Sequence, residues 1–239
     1  MKKLVIVIPA HNEEKIIKSN LEKVFSFLKK KKMNVVWKVI VAENGSKDKT
    51  IDILKKMPKT KRFSYILLQA RSRDEAIKKA WMKIYSDYYM FMDADLATDI
   101  KHIPELVSGL EEGNDIVIGS RKLPESEVDR PLNREIISFV FNMLMKSIFN
   151  LKVRDLQCGF KAINRKVRDD IIPKLKYSEE GFMDTEMLVL ASRKNYKIKE
   201  IPIKWYDERD SKFKIGRTIF KVIINSFKIK RDLIKGKYD

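Results

Sequence analysis

The feature that most constrains the fold is the alternation, over the first 120 residues, of short apolar runs with longer amphipathic stretches. The first run, residues 3–10 (KLVIVIPA), is largely β-branched, which is typical of a strand buried on both faces of a sheet. The stretch that follows it spaces its apolar side chains three and four positions apart, as one face of a helix does. This alternation predicts an α/β fold with a mostly parallel, twisted sheet and helices on both of its faces. Further strands are predicted at 35–46, 63–70, 88–95 and 115–121, and further helices at 48–57, 74–86 and 103–113.

Polar residues follow several predicted strands at the point where each strand ends. The first strand is followed by HNEE, the second ends in ENGS, and the fourth ends in DAD. Ligands of open parallel sheets bind at the carboxyl ends of the strands, so we expect one binding site at this edge. The sequence contains neither the glycine-rich dinucleotide fingerprint nor a P-loop, which argues against both of those nucleotide-binding classes.

Two carboxylates, Asp93 and Asp95, end the fourth predicted strand. Such rigidly placed oxygens suit hard cations such as Mg²⁺ or Mn²⁺, which are commonly shared with substrate phosphates. The structural alternative is that one of them caps the next helix, but Thr98 and Asp99 can already cap a helix that begins at Ile100. The pattern therefore predicts a divalent-metal site at Asp93 and Asp95.

The chain carries 51 basic and 33 acidic residues, a formal net charge of +18. This charge indicates an anionic partner, although a lysine-rich surface without any partner is the simpler alternative. A single cysteine, Cys158, excludes an internal disulfide and suits a reducing compartment. The early apolar run is too short for a membrane span and lacks a cleavage pattern, so we expect a cytoplasmic protein that can lie on a membrane. No basic and aromatic pattern of a nucleic-acid-binding module is present, so we expect no nucleic-acid partner.

Two later segments are predicted to be interface helices, near 134–151 and 217–235. Apart from Ser147, the first is apolar except at every fourth position, which predicts one narrow solvent-exposed polar stripe and a wide apolar face. That face suits a buried core, a homo-oligomer contact or the membrane interface. The second places lysines on one face and apolar residues on another, which suits either an ordinary surface helix or an anchor to anionic lipid. Together the two helices predict peripheral membrane association. The residues concerned are Ser138, Asn142, Lys146 and Asn150 in the first helix, and Ile219, Phe220, Ile223, Phe227, Ile234, Lys221, Lys228 and Lys235 in the second.

Several motifs occur in an order that resembles one enzyme family. VIVIPAHNEE, VIVAENGSKDKT, DADLATD, GNDIVIGSR, RDLQCGFKAINR and RDSKF together resemble the family-2 glycosyltransferases of GT-A fold, over the chain up to about Phe213. Within that family they resemble the polyprenyl-phosphate sugar synthases, and DADLATD is similar to the dolichyl-phosphate glucose synthase branch. The sequence departs from the family pattern at Glu43-Asn44, at His11, at Ala97 and in ARSRDEA, where a glycine-rich loop is usual.

The resemblance implies how the donor half of the site is built. Asp95 would hold Mg²⁺ or Mn²⁺ against the diphosphate of a nucleotide sugar, Asp93 would hold the ribose or the same metal, and Arg73 would keep the basic role of its loop. The donor-binding set implied is Pro9, Ala10, Asn12, Glu13, Glu43, Arg73, Asp93, Ala94 and Asp95.

The acceptor half follows from the chemistry that the resemblance implies. A hydroxyl acceptor needs a general base, whereas a lipid phosphate is already ionised and instead needs cations to hold it near the donor. Arg121, Arg209 and Lys212 would be catalytic together with the two aspartates; the alternative for each basic residue is a solvated surface charge. The phosphate-binding set implied is Ser120, Arg121, Arg130, Arg134, Gln157, Arg209, Ser211 and Lys212.

The prediction is therefore a metal-dependent, inverting glycosyltransferase that moves glucose from UDP-glucose to dolichyl or polyprenyl phosphate at the cytoplasmic membrane face. GDP-mannose or another donor, a glycan or protein hydroxyl acceptor, and a non-catalytic sugar-nucleotide or anionic-surface binder are the alternatives. The catalytic unit is predicted at 1–213, followed by a basic helix at 214–239. Within the unit, we expect a donor half (1–121), an acceptor loop with its apolar helix (122–151) and an acceptor-side half (152–213).

Overall fold

The computed structural model describes residues 1–70, 72–206 and 215–238, excluding the side chains of 132–134, 136, 137, 180 and 215–222. Strands and helices alternate as the sequence pattern predicts. The strands are β1 (Lys2–Ala10), β2 (Val35–Asn44), β3 (Phe63–Leu68), β4 (Tyr88–Met92), β5 (Ile116–Ser120), β6 (Glu127–Asp129), β7 (Phe160–Asn164), β8 (Ile198–Pro202) and β9 (Lys204–Tyr206). The helices are α1 (Ile17–Lys30), α2 (Thr50–Lys56), α3 (Arg73–Lys83), α4 (Ile103–Glu111), α5 (Leu132–Phe149), α6 (Arg165–Asp170), α7 (Met183–Arg193) and α8 (Ile215–Ile234).

The main sheet has seven strands in the order β3-β2-β1-β4-β7-β5-β8. All neighbouring pairs are parallel except those of β7, which runs antiparallel to both β4 and β5. The predicted mostly parallel α/β sheet is thus confirmed. Because β7 is antiparallel, its first residue pairs with the last residue of β4, and the chain just before β7 lies at the carboxyl end of β4.

Strand β1 packs into the core on both faces, as its apolar run predicts. Val5 and Val7 belong to the hydrophobic cluster that contains Trp81, whereas Leu4 and Ile6 belong to the cluster on the other face. Burying both faces fixes the register of a strand, because a slip of one residue would exchange its two faces. The loops at the end of β1 are therefore held in a defined place.

Helix α5 presents its polar residues differently from the sequence interpretation. Ser138 and Asn142 are buried, whereas Phe139 and Met143 are 60% and 53% exposed. Asn142 Nδ2 donates to the carbonyl of Ser138, and Asn142 Oδ1 accepts from the backbone N–H of Leu156 at 3.0 Å. The expectation of a wet polar stripe is thus wrong at these two positions, because their polar atoms satisfy buried backbone groups.

Helix α8 packs against α5 through a partly polar face. Ser226 and Asn225 are buried, and Ser226 Oγ donates to Met145 Sδ of α5 at 3.2 Å. Phe227 and Ile234, two of the predicted apolar positions, are instead 61% and 79% exposed. No helix in the described ranges has both the length and the apolar content that crossing a bilayer requires.

Candidate active site

The carboxyl ends of β1, β2 and β4 surround a pocket of about 400 Å³. This volume lies within the usual range for small-molecule sites. Asn12 and Glu43, two predicted donor residues, do not line it. The lining consists of Pro9, Ala10, His11, Glu13, Asn44, Ala70, Ser72, Arg73, Asp93, Ala94 and Asp95, so it includes the other predicted donor residues.

Asn12 and Glu43 instead hold the loops that follow β1 and β2. Asn12 Oδ1 accepts from the backbone N–H of Lys47 at 2.8 Å, and the N–H of Asn12 donates to Ser46 Oγ at 2.9 Å. Glu43 is 1% exposed, and its Oε1 accepts from the N–H of Ser46 at 2.6 Å. These contacts tie the two loops into one wall of the pocket.

The loop after β4 folds tightly so that both aspartates reach the pocket. The N–H of Leu96 donates to the carbonyl of Asp93, and the N–H of Ala97 donates to Asp95 Oδ1 at 3.1 Å. Leu96 adopts a left-handed backbone with φ of 57°, a conformation that costs a non-glycine residue about 1–2 kcal/mol. Strain of this kind is common at functional sites, where the surrounding structure supports it.

Arg73 forms an ion pair with Asp93 on the floor of the pocket. It is the first residue of α3, whose N-cap is Ser72, and Ser72 Oγ accepts from the N–H of Glu75 at 3.1 Å. Arg73 Nε donates to Asp93 Oδ1 at 2.7 Å. Gly159, just before β7, makes room for this pair, because a Cβ there would lie 1.8 Å from Asp93 Oδ2. The absence of a side chain at Gly159 thus serves the site itself.

Buried charges behind Arg73 extend the cluster away from the pocket. Arg73 Nη1 lies 3.0 Å from Asp74 Oδ1 and 3.6 Å from Asp184 Oδ2, and Lys161 Nζ lies 3.1 Å from Asp184 Oδ1. Burial, together with the nearby charge of Asp184, raises the pKa of Asp74 to about 6. Burial by itself would lower the pKa of Arg73, but the carboxylates of Asp93, Asp74 and Asp184 raise that pKa above its usual value.

Lys161 was not identified from the sequence, because one lysine among 51 basic residues gives no signal of burial. It is fully buried on β7, and its charge compensates Asp184. Asp184 therefore orients the basic residues Arg73 and Lys161. Glu186, which lies two residues further along α7, does not face the pocket. It is fully buried and accepts from the backbone N–H of Tyr177 and from the hydroxyl of Tyr238.

Asp93 and Asp95 fit a divalent cation that shares its coordination with a bound diphosphate. The described residues contain no group of three or more His, Cys, Asp or Glu side chains that could hold a metal on their own. Mg²⁺ is commonly bound by one or two carboxylates together with substrate phosphates, and both Asp93 and Asp95 line this pocket. Asp93 and Asp95 are therefore suitable ligands for a metal ion that binds together with the substrate.

Arg121, at the end of β5, pairs with Asp155 in a two-pronged contact. Arg121 Nε and Nη2 donate to the two carboxylate oxygens of Asp155 at 2.7 and 2.9 Å. Burial alone would raise the pKa of Asp155, but the charge and hydrogen bonds of Arg121 lower it to about 2. Asp155 is fully buried and positions Arg121.

Trp205 makes cation–π contacts with two of the predicted phosphate-binding arginines. The guanidinium carbons of Arg121 and Arg130 lie 5.3 and 5.4 Å from the centre of a Trp205 ring. Trp205 belongs to β9, and the backbone of β9 is bonded to the loop after β4, since the N–H of Tyr206 donates to the carbonyl of Ala97 at 2.8 Å. The arginines are thereby tied to the loop that carries Asp93 and Asp95.

The structure describes only some of the remaining predicted acceptor residues. Ser120 is fully buried, and Gln157 is exposed. Arg134 lies in α5, where its side chain is outside the described part, and Arg209, Ser211 and Lys212 lie outside the described residues. Cys158 is buried, and burial raises its pKa to about 12, as expected of a packing residue rather than a nucleophile.

Comparison with known sequences identifies related proteins. Residues 5–172 match the model described as Glycosyl transferase family 2. The chain is 33% identical over 221 residues to Glycosyltransferase AglD of Haloferax volcanii, and the match covers 90% of this chain and 35% of that protein. It is 31% identical over 253 residues to the Dolichyl-phosphate beta-glucosyltransferase of Saccharomyces cerevisiae, covering 97% of this chain and 73% of that protein.

Solved structures share the fold at low sequence identity. Glucosyl-3-phosphoglycerate synthase from Mycobacterium tuberculosis, in complex with Mn²⁺, UDP and phosphoglyceric acid, matches with a TM-score of 0.66 and 15% identity, covering 94% of this chain and 78% of that one. Mannosyl-3-phosphoglycerate synthase from Rubrobacter xylanophilus matches with a TM-score of 0.64 and 15% identity, covering 99% and 76%. The fold is therefore the predicted GT-A fold.

Proposed function

The chain belongs to glycosyl transferase family 2 and is a glycosyltransferase, and from this premise we propose that it transfers glucose from UDP-glucose to dolichyl or polyprenyl phosphate. The reaction is metal-dependent and inverting. The observation that carries the proposal is the meeting of Asp93, Asp95 and Arg73 in one pocket at the carboxyl ends of the strands. The name of the Saccharomyces cerevisiae relative supports the sugar and the lipid acceptor.

The donor binds in the pocket between the loops after β1, β2 and β4. Asp93 and Asp95 would hold Mg²⁺ or Mn²⁺, and such an ion would supply positive charge against the negative charge that develops on the departing diphosphate. A protein of the same fold was solved in complex with Mn²⁺ and UDP, which supports a divalent cation and a UDP-linked donor. Arg73, on the floor of the same pocket, is the nearby cation that this chain supplies.

The acceptor phosphate binds beside Arg121 and Arg130. Phosphate has a second pKa near 6, so it attacks without a general base, and the demand on the protein is to hold two anions close together. Trp205 and Asp155 support this role, because they fix the directions of the guanidinium groups. Arg209 and Lys212 complete the phosphate site in this proposal.

The lipid chain approaches across α5 and α8. Phe139, Met143 and Phe227 are large apolar side chains exposed on these two helices, where they are available for contact with a lipid chain. A cavity of about 340 Å³ beside α5 has a mostly apolar lining that also includes three basic side chains, which suits an anionic lipid. Its lining consists of Lys122, Phe139, Asn142, Met143, Lys146 and Arg154. We propose that this surface lies on the cytoplasmic face of a membrane.

A matrix of UDP-glucose, UDP-galactose, GDP-mannose and GDP-glucose against dolichyl phosphate, undecaprenyl phosphate and a glycan acceptor tests the proposal. We expect transfer from UDP-glucose to the lipid phosphates, abolished by a chelator and restored by Mn²⁺ or Mg²⁺. Asp95→Ala should lose transfer, while Asp52→Ala, at an exposed aspartate on α2, should keep it. No product from any donor with a lipid phosphate, or full activity of Asp95→Ala, would contradict the proposal.

A further inference from the structure

Arg73 contacts the same carboxylate, Asp93, that the proposed function assigns to the metal. Its Nε donates to Asp93 Oδ1 at 2.7 Å, so a cation of the chain itself already lies against that oxygen. A divalent ion and a guanidinium that need the same carboxylate oxygen compete for it. The role proposed here for Arg73 rests on the proposed function, in which Asp93 is a metal ligand.

Asp74 and Asp184 hold the other side of the guanidinium. Both carboxylates are nearly buried, at 6% and 9% side-chain exposure, and both lie near Arg73 Nη1. Asp74 also accepts from the backbone N–H of Met183 at 3.0 Å, and Asp184 pairs with Lys161. Removing Arg73 would leave three carboxylates with a single buried lysine, which is strongly unfavourable. The arginine is therefore anchored at Asp74 and Asp184.

The contact with Asp93 is the exchangeable one. The side chains of Arg73 and Asp93 are 35% and 36% exposed, in contrast to the buried anchors. Arg73 Nη2 is buried and, within the described part of the chain, has no hydrogen-bond partner. A guanidinium has five donors, so this arrangement leaves bonding capacity that an incoming anion can use. Phosphate oxygens are acceptors that match the planar guanidinium fork.

We propose that Arg73 holds Asp93 in place in the donor-free protein and releases it when a divalent cation and the donor diphosphate bind together. Asp93 would then coordinate the cation. Nε and Nη2 of Arg73 would donate to diphosphate oxygens, while Nη1 stays beside Asp74 and Asp184. No covalent bond changes in this step. It follows that the metal alone binds weakly, and that metal and nucleotide strengthen each other's binding by the same factor.

Binding of Mn²⁺, measured from the electron paramagnetic resonance signal of the free ion, tests this exchange with and without UDP. Without UDP, Arg73→Gln should bind Mn²⁺ about tenfold more tightly than wild type, because a hydrogen bond between charged groups no longer competes for Asp93. UDP should tighten Mn²⁺ binding by about tenfold more in wild type than in Arg73→Gln. Arg193→Gln is the matched control. It removes an exposed arginine at the far end of α7, about 15 Å from the first turn of that helix, and should behave as wild type.

The variant Arg73→Gln/Asp74→Asn covers the case in which Arg73→Gln alone fails to fold, since it removes one positive and one negative charge from the cluster. It should show the same tighter Mn²⁺ binding without UDP. Wild-type Mn²⁺ affinity in a folded variant of either kind would overturn the proposal. The transfer assay separates the two hypotheses. If the variants bind Mn²⁺ more tightly but the wild-type protein transfers no glucose, the proposed function alone is refuted. If the wild-type protein transfers glucose but the variants bind Mn²⁺ as wild type does, the role of Arg73 alone is refuted.

Discussion

Gly159→Ala is the smallest substitution that should disable the donor site. The added Cβ would lie 1.8 Å from Asp93 Oδ2 and 2.7 Å from its Cγ. Ordinary contact begins at 3.4 Å, so Oδ2 would have to move by about 1.6 Å. A shift of that size breaks the 2.7 Å bond between Arg73 Nε and Asp93 Oδ1. Displacing a reacting group by about 1 Å can lower the rate by about 100-fold. We therefore expect kcat/KM for UDP-glucose to fall by about 100-fold.

The effect on stability should be modest by comparison. Overpacking costs about 1–3 kcal/mol, and Asp93 is partly exposed, so its side chain can rotate towards solvent. The variant should thus stay folded at 25 °C, which a circular dichroism melt would verify before kinetics with UDP-glucose and dolichyl phosphate. The loss of activity can then be assigned to the site.

Gly109→Ala provides the matched control. Its added Cβ would lie 2.8 Å from Val117 Cγ2, in apolar packing between α4 and β5, so it also overpacks but touches no charged group of the pocket. It should keep the kcat/KM of wild type. If Gly159→Ala also kept wild-type kcat/KM, the assignment of Asp93 to the donor site would be refuted.

Three further predictions concern other parts of the molecule. Trp205→Ala should raise the KM for dolichyl phosphate about tenfold and leave the KM for UDP-glucose unchanged, because each cation–π contact contributes about 0.5–2 kcal/mol; equal changes in both constants would contradict it. Asp155 has its pKa lowered to about 2, so it contributes about 2 kcal/mol of stability that is lost as pH falls from about 4 to 2. Urea unfolding of Asp155→Asn should lack that part of the pH dependence, and an unchanged profile would contradict the pairing with Arg121. Phe227→Asp should reduce sedimentation with anionic vesicles without lowering the melting temperature, since the ring is 61% exposed; wild-type sedimentation would argue against the proposed membrane surface.

The pocket that we propose as the donor site could be located from the sequence because its residues follow strands directly. Periodicity located β1, β2 and β4, and in a parallel sheet the residues after these strands must converge on one edge. The positions of Asp93 and Asp95 could therefore be predicted without any knowledge of long-range contacts. The same rule placed Arg121 at the end of β5.

The buried partners could not be predicted in this way, because they depend on β7. This strand enters the sheet in the opposite direction and brings Gly159 and Lys161 beside residues that are distant in the chain. Nothing in the local pattern of five residues reports the direction of a strand. The exposure of α5 was mispredicted for a related reason. Asn142 is polar, but its Oδ1 accepts from the backbone N–H of Leu156, and this pairing forms only in the tertiary structure.

The antiparallel strand β7 has a consequence for how the two substrates are spaced. One continuous segment, residues 155–161, contacts both halves of the site: Asp155 holds Arg121, and Gly159 and Lys161 adjoin the carboxylates of Asp93 and Asp184. Under the proposed function, the gap between sugar donor and acceptor would therefore be set by the length of this one short segment. Loops elsewhere could then differ to suit another acceptor without altering that gap, whereas one residue inserted between 155 and 159 would alter it for every acceptor.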